Sequence, residues 1–384
     1  MKKAFIFLFT MVIFLTSLLQ YTFGDEPDIQ APSAILMEAS TGKVIYEKNA
    51  DEVLYPASIT KIMTLILIFD ALQDKKISLT DEVTVSEHAA SMGGSQVFLE
   101  PGEVQTVETL IKCIAIASAN DACVAMAEYV WSSEDVFVDK MNERAQNLNM
   151  TNTHFKNSCG LDADGHVTSA RDVALMSREL ITKYPAIHNY STIWMDSFTH
   201  VTRKGESEFV LSNTNKLLKQ YEWATGLKTG STSLAKFCLS ATAKKNDIEL
   251  ISVVMASPNG KTRVSDSISL LNYGYGICHL YRDENMPSLT PLSVKNTTKG
   301  TVNCKYSNNF SYLFMENYDE NKITKELEYI KNPSAPITTN DIMGQLIYKY
   351  DDKIIGTVDI LSAENIEKSG YSDYLKLLWK ELAG

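Results

Sequence analysis

The run Ile62-Met63-Thr64-Leu65-Ile66-Leu67-Ile68-Phe69 offers almost no polar face. A helix that is apolar all round cannot lie on a surface and must sit inside a fold large enough to cover it. Directly ahead of it stands Ser58-Ile59-Thr60-Lys61, preceded by Pro56, a residue that favours helix starts. Lys61 is therefore carried into the interior. Burying an unpaired ammonium is so costly that such a lysine either finds partners or gives up its proton. A serine three residues earlier falls on the same helical face, so Ser58 and Lys61 read as a nucleophile with an adjacent base. The N–H groups of the helix start face a developing oxyanion.

S-x-x-K alone is a weak signal, and the chain repeats it at Ser233-Leu234-Ala235-Lys236, where no apolar run follows. Two further motifs separate the first match from the second. Ser118-Ala119-Asn120 lies between two helical patterns, with Asp121 placed to cap the second, so Ser118 and Asn120 are expected on a short exposed loop. S-x-N recurs at Ser257-Pro258-Asn259 and Ser307-Asn308-Asn309 and means little in isolation. Lys228-Thr229-Gly230 occurs once, on a strand pattern, followed by Ser231. S-x-x-K, S-x-N and K-T-G in this order form a known signature of penicillin-recognising serine enzymes.

Hydrophobic periodicity places these motifs on elements. Residues 34–38 and 44–47 read as a hairpin around Ser40-Thr41-Gly42. From 58 to about 183 apolar residues recur at three-to-four spacing, as in 107–117, 122–131 and 136–148. Strand character returns at 207–211, 225–229, 236–243 and 249–256, and a helix is expected from Ser265 to about Tyr275. Strands enclosing a helical middle predict a mixed α/β (α+β) fold, one antiparallel sheet with helices packed on it. Beyond Pro287 short alternating strands predict a small all-β C-terminal domain, and 371–382 reads as an amphipathic tail with Tyr374, Leu375, Leu378 and Leu382 on one face. Such a face docks on protein or lies at a membrane interface.

Met1-Lys2-Lys3, an apolar run over 4–19 and small or polar residues before Asp25 make a secretory signal, the alternative being an uncleaved anchor helix. The expected organisation is a signal over 1–24, a catalytic domain over 25–287, a β-rich domain over 288–365 and a tail over 366–384, with the catalytic part outside the cytoplasm. A net charge of −11 disfavours nucleic acid as a partner. Six cysteines without C-x-x-C spacing or clustered histidines point to no metal site, and leave any disulfide pairing open.

With these motifs in place the chain resembles the low-molecular-mass D-alanyl-D-alanine carboxypeptidases, the serine peptidases that penicillin acylates. The likeness extends through 56–64, 118–122, 157–162 with Gly165-His166, 213–215 and 226–232. It departs at Ala224-Thr225-Gly226-Leu227, at Ser231 after K-T-G and at Cys159.

The resemblance implies a β-lactamase/transpeptidase-like fold and hydrolysis of the terminal D-alanine from peptidoglycan stem peptides through an acyl-serine, with β-lactams as inhibitors and no cofactor. It implies Ser58 as nucleophile, Lys61 as base and Ser118 as proton relay. Asn120 would hold the substrate amide. Lys228 and Thr229 would bind the terminal carboxylate, Lys228 also acting on Lys61 through like charge, with Arg263 assisting. Gly230 would let the substrate backbone approach, and the N–H groups of Ser58 and Ser231 would serve the oxyanion. His166 reads as structural. Alternatives are a class A-like β-lactamase, which needs a Glu-x-x-Leu-Asn pattern that is missing between Asn120 and Lys228, a DD-endopeptidase, and a non-catalytic cell-wall protein.

Overall fold

A computed structural model describes residues 26–203 and 205–382; the expected signal segment lies outside the described residues. Two compact units divide the chain, one up to Ile277 and one from Cys278.

In the first unit β1 (Ser33–Glu38) and β2 (Val44–Lys48) form an antiparallel hairpin. The helical middle comprises α1 (Lys61–Gln73), α2 (Val107–Ala115), α3 (Asn120–Trp131), α4 (Glu134–Asn147) and α5 (Ala170–Lys183). The chain then returns as β3 (Met195–Thr202), β4 (Gly205–Ser212), β5 (Ala224–Thr232), β6 (Lys236–Lys245) and β7 (Ile248–Ser257), and closes with α6 (Gly260–Ile277). The main sheet has the order β2-β1-β7-β6-β5, antiparallel throughout, so strands from both ends of the unit enclose the helices. Asn246 and Asp247, both at positive φ, make the two-residue turn between β6 and β7. That conformation suits a right-twisted hairpin and tolerates these two residues.

The apolar run becomes α1, buried from Lys61 through Phe69 and packed against α2, α3, α4 and α5. Each fully buried aliphatic side chain contributes roughly 1.5–3 kcal/mol. This helix is thereby fixed at the centre of the unit, and the Lys61 end with it. Ser133 and Ser169 cap α4 and α5 through their side chains, accepting from Val136 N and Asp172 N.

Two expectations need correction. The 207–211 segment is a strand, but it belongs to a separate hairpin, β3 with β4, outside the main sheet. The last helix starts at Gly260 and not at Ser265, because Asn259 Oδ1 accepts from Lys261 N and Thr262 N and satisfies its first turn.

The second unit is built from β8 (His279–Arg282), β9 (Cys304–Tyr306), β10 (Ser311–Phe314), β11 (Ile323–Tyr329), β12 (Ile342–Tyr350) and β13 (Lys353–Ser362). Its principal sheet runs β9-β13-β12-β11, and β8 pairs with β10. That pairing draws residues 279–282 into the second unit, ahead of the division expected after residue 287. Tyr348 stacks on Phe310 at 3.7 Å and donates to Asp283 Oδ2 at 2.7 Å, while Lys325 Nζ reaches Asp283 Oδ1 at 2.6 Å. The tail forms α7 (Tyr371–Leu382), whose Tyr371, Leu378, Trp379 and Leu382 side chains are exposed.

Candidate active site

Ser58 occupies a 3₁₀ turn, Ala57–Thr60, that runs into α1 at Lys61. The expectation of an α-helical start is corrected to this tighter turn, in which residues three apart eclipse. Lys61 Nζ consequently lies 3.1 Å from Ser58 Oγ. Two glycines hold the turn. A Cβ on Gly160 would fall 1.9 Å from Ala57 O, and one on Gly230 would fall 2.8 Å from Pro56 O. Gly230 was expected to admit substrate backbone; the close approach it permits is that of β5 to the Ser58 turn. Behind the turn, buried His166 bonds Thr60 Oγ1 through Nε2 at 2.8 Å.

Lys61 is fully buried and has three partners: Ser58 Oγ, Asn120 Oδ1 at 2.6 Å and Cys159 O at 2.6 Å. The Cys159 carbonyl is presented by a turn organised on Asn157, whose Oδ1 accepts from Gly160 N at 2.7 Å and Leu161 N at 3.1 Å. Among the described residues neither Lys61 nor Lys228 forms an ion pair.

Ser118 and Asn120 are buried, and do not lie on the exposed loop that was expected. The reason is Asp121. It does not cap α3 but turns its carboxylate to Val97 N and Leu99 N, folding residues 93–99 over the helix start. Asn120 then donates from Nδ2 to Gly93 O at 2.7 Å and from its backbone to Ser95 O at 2.7 Å. Burial raises the Asp121 carboxyl above its ordinary range, offset by these backbone donors.

On β5, Lys228 donates to Ser118 Oγ at 2.8 Å and to Thr229 O at 3.2 Å. It is buried and does not face an open cleft. Burial, and then the charge of Lys61, hold its proton affinity well below the ordinary lysine value. The expected like-charge effect is thus felt at Lys228. Thr229 Oγ1 pairs with Thr214 Oγ1 at 2.7 Å, and Ser231 is exposed. Arg263 is half-buried on α6 and donates from Nη1 to Gly230 O at 3.1 Å and Cys238 O at 3.2 Å, with no partner for Nε.

The structure therefore joins Ser58, Lys61 and Asn120 through Lys61 Nζ, and Ser118 to Lys228 through Lys228 Nζ, as two hydrogen-bonded sets, with Thr229, Ser231 and Arg263 on or beside the strand that carries Lys228. Ser233, in the turn after β5, and Lys236, at the start of β6, are exposed and take part in neither set. Sequence reasoning assigned no role to Asn157, Cys159 O, Gly160 or Thr214. Asn157 followed by Gly160 was a readable turn signal; a backbone carbonyl as lysine acceptor leaves no trace in residue identity.

Residues 21–259 match the family model described as D-alanyl-D-alanine carboxypeptidase, and 281–368 match that of the penicillin-binding protein 5 C-terminal domain. The chain belongs to the D-alanyl-D-alanine carboxypeptidase family. D-alanyl-D-alanine carboxypeptidase DacF of Bacillus subtilis (strain 168) is 42% identical over 350 residues, covering 90% of this chain and 88% of that protein. DacC of Escherichia coli (strain K12) is 33% identical, covering 96% and 91%. Penicillin-binding protein 5 from Haemophilus influenzae superposes with a TM-score of 0.75 at 28% identity, covering 89% of this chain and 98% of that one. This carboxypeptidase family supplies a fold in agreement with the sheet, helices and β-rich second unit described above.

Proposed function

We propose that this chain is a serine-type D-Ala-D-Ala carboxypeptidase in which Ser58 is the nucleophile and Lys61 the base. The carrying observation is the set of partners around Lys61 Nζ. Asn120 Oδ1 and Cys159 O can only accept, so an unprotonated Lys61 donates its two hydrogens to them. Its lone pair is then left facing Ser58 Oγ, the one partner with a proton to give.

Ser58 Oγ attacks the carbonyl carbon between the last two D-alanines while its proton passes to Lys61. Ser118 relays the proton held on Lys61 to the leaving amine, D-alanine departs, and water hydrolyses the acyl ester, one of its protons passing to Ser58 Oγ as the serine is freed. The N–H groups of Ser58 and Ser231 receive the oxyanion. Lys228 supports Ser118 and, with Thr229 and Ser231 on the same strand, favours the substrate's terminal carboxylate; Arg263 braces that strand through Gly230 O.

Stem peptides of peptidoglycan are the substrates on this reading and β-lactams are acylating inhibitors. The N-terminal pattern supports export to the outer face of the cytoplasmic membrane or the cell wall. Among the described residues no helix is long and apolar enough to cross a membrane, and the exposed face of α7 supports peripheral contact. Incubation with a stem pentapeptide should release one D-alanine by mass. Fluorescent penicillin should label the wild type and Ser233→Ala but not Ser58→Ala; full labelling of Ser58→Ala would refute the assignment.

A further inference from the structure

We propose that Phe98 is a specificity-determining residue of this site, its ring held outward by a strained backbone to pack against the apolar side group of the acyl donor. The proposal rests on the reading of Ser58 as the acylated residue.

Phe98 has φ +62°, a left-handed conformation that bulky side chains rarely adopt, and its side chain is 62% exposed. Strain of this kind persists only where surrounding structure imposes it, and it concentrates at ligand-binding sites. Here the imposing group is Asp121. Its buried carboxylate accepts from Val97 N at 3.1 Å and from Leu99 N at 3.1 Å, fixing the backbone on both sides of Phe98. With both neighbouring N–H groups turned inward, the side chain between them is directed to solvent.

The place to which it is directed is set by the same helix start. Asp121 follows Asn120, whose Oδ1 accepts from Lys61, and Asn120 N is bonded to Ser95 O three residues before Phe98. On its other side the Phe98 ring meets Phe209 of β4 at 6.1 Å. Two residues past the end of that strand comes Thr214, whose hydroxyl is bonded to Thr229. Phe98 therefore stands between the start of α3, which supplies Asn120, and β4, from which the chain leads to the Thr214 partner of Thr229. Phe209 in turn packs on Phe198 at 5.7 Å and His200 at 5.6 Å, so the ring rests on an aromatic support. Such a surface takes an apolar, preferably planar group through edge or offset stacking.

Benzylpenicillin carries such a group on its acyl side, and 6-aminopenicillanic acid lacks it. In Phe98→Gly, acylation of Ser58 by benzylpenicillin should fall about tenfold while 6-aminopenicillanic acid changes by less than about twofold. The unfolding temperature should stay level or rise, since glycine takes this φ without penalty. Phe98→Tyr keeps the ring and should keep the wild-type ratio of the two rates. Loss of both rates together with a lower unfolding temperature would mean that Phe98 only supports the fold, and unchanged rates for both compounds would mean that the ring touches no acyl group. Labelling of the wild type by 6-aminopenicillanic acid reports separately on Ser58 as the acylated residue.

Discussion

His166 donates from Nε2 to Thr60 Oγ1 at 2.8 Å, because its Nδ1 accepts from Lys156 N at 2.9 Å and so leaves the proton on Nε2. The Nδ1 contact needs the neutral ring, because a protonated Nδ1 could not accept from Lys156 N. Burial, and then His154, push its pKa down to about 4. A histidine depressed in the folded state contributes stability that is complete above its unfolded pKa and is lost as pH falls toward the folded one. The unfolded chain binds the extra proton between about pH 6.5 and 4, so stability falls with pH across that window. Urea unfolding should show the protein roughly 2 kcal/mol less stable at pH 5 than at pH 7.5 from this group. His166→Gln should be weaker at pH 7.5 but lack that share of the slope. An unchanged slope in the variant would rule the linkage out.

The reach of sequence reasoning follows from what each feature depends on. The apolar run 62–69 could only be a central helix, and with S-x-N and K-T-G it favoured Ser58 over Ser233; in the structure that run is buried, and Ser233 and Lys236 are exposed. Local periodicity also carried the hairpin 33–48, the strands 224–257 and the amphipathic tail. Burial of Ser118 and Asn120 was not legible, because it is imposed by residues 93–99 closing over them through Asp121. Nor was the crowding around Gly230, since its neighbours Pro56, Ala57 and Ile59 are distant in sequence. A polar motif between helices looks solvated until its long-range partners are known.

Gly160 and Gly230 clamp the Ser58 turn from two sides, but at different cost to substitution. Gly160 has φ +88° and its Cβ would overlap Ala57 O, whereas Gly230 has no left-handed φ and a less severe overlap. Gly160→Ala should therefore destabilise by at least about 2 kcal/mol and slow acylation with it. Gly230→Ala should cost less stability. Chemical denaturation of both variants beside penicillin acylation rates checks the order; a milder effect at Gly160 would mean that its turn yields freely.

The apolar side chains of α7 stay exposed while Ser369, just ahead of it, is anchored by its N–H to Asn296 O at 2.9 Å. An amphipathic helix in this condition binds lipid surfaces modestly, and the acidic chain adds no attraction to anionic headgroups. A chain beginning at Asp25 should sediment with vesicles and shift Trp379 fluorescence, and the same chain ending at Ser369 should do neither. Equal sedimentation of the two would remove the tail from membrane contact.

Lys228 is buried without an acidic partner, holding Ser118 by one hydrogen bond. Removing such a charge while keeping its volume is neutral or stabilising, because an unpaired buried ammonium costs more than it returns. Lys228→Met should therefore match or exceed wild-type stability, whereas Lys228→Ala leaves a cavity and should lose about 2–4 kcal/mol. Activity should follow the opposite logic. Each charge-assisted hydrogen bond contributes roughly 1.5–3 kcal/mol, so both variants should acylate about ten- to hundredfold more slowly. The loss should be greater for peptides with a free terminal carboxylate than for amidated ones, since the cation favours the former. Arg263→Ala should lose less discrimination, because Arg263 acts by bracing Gly230 O and Cys238 O. The decisive measurement is the acylation rate of the stable Lys228→Met protein on both peptides. Retained preference for the free carboxylate would take that recognition away from Lys228 and give it to Arg263, whose Nε has no partner.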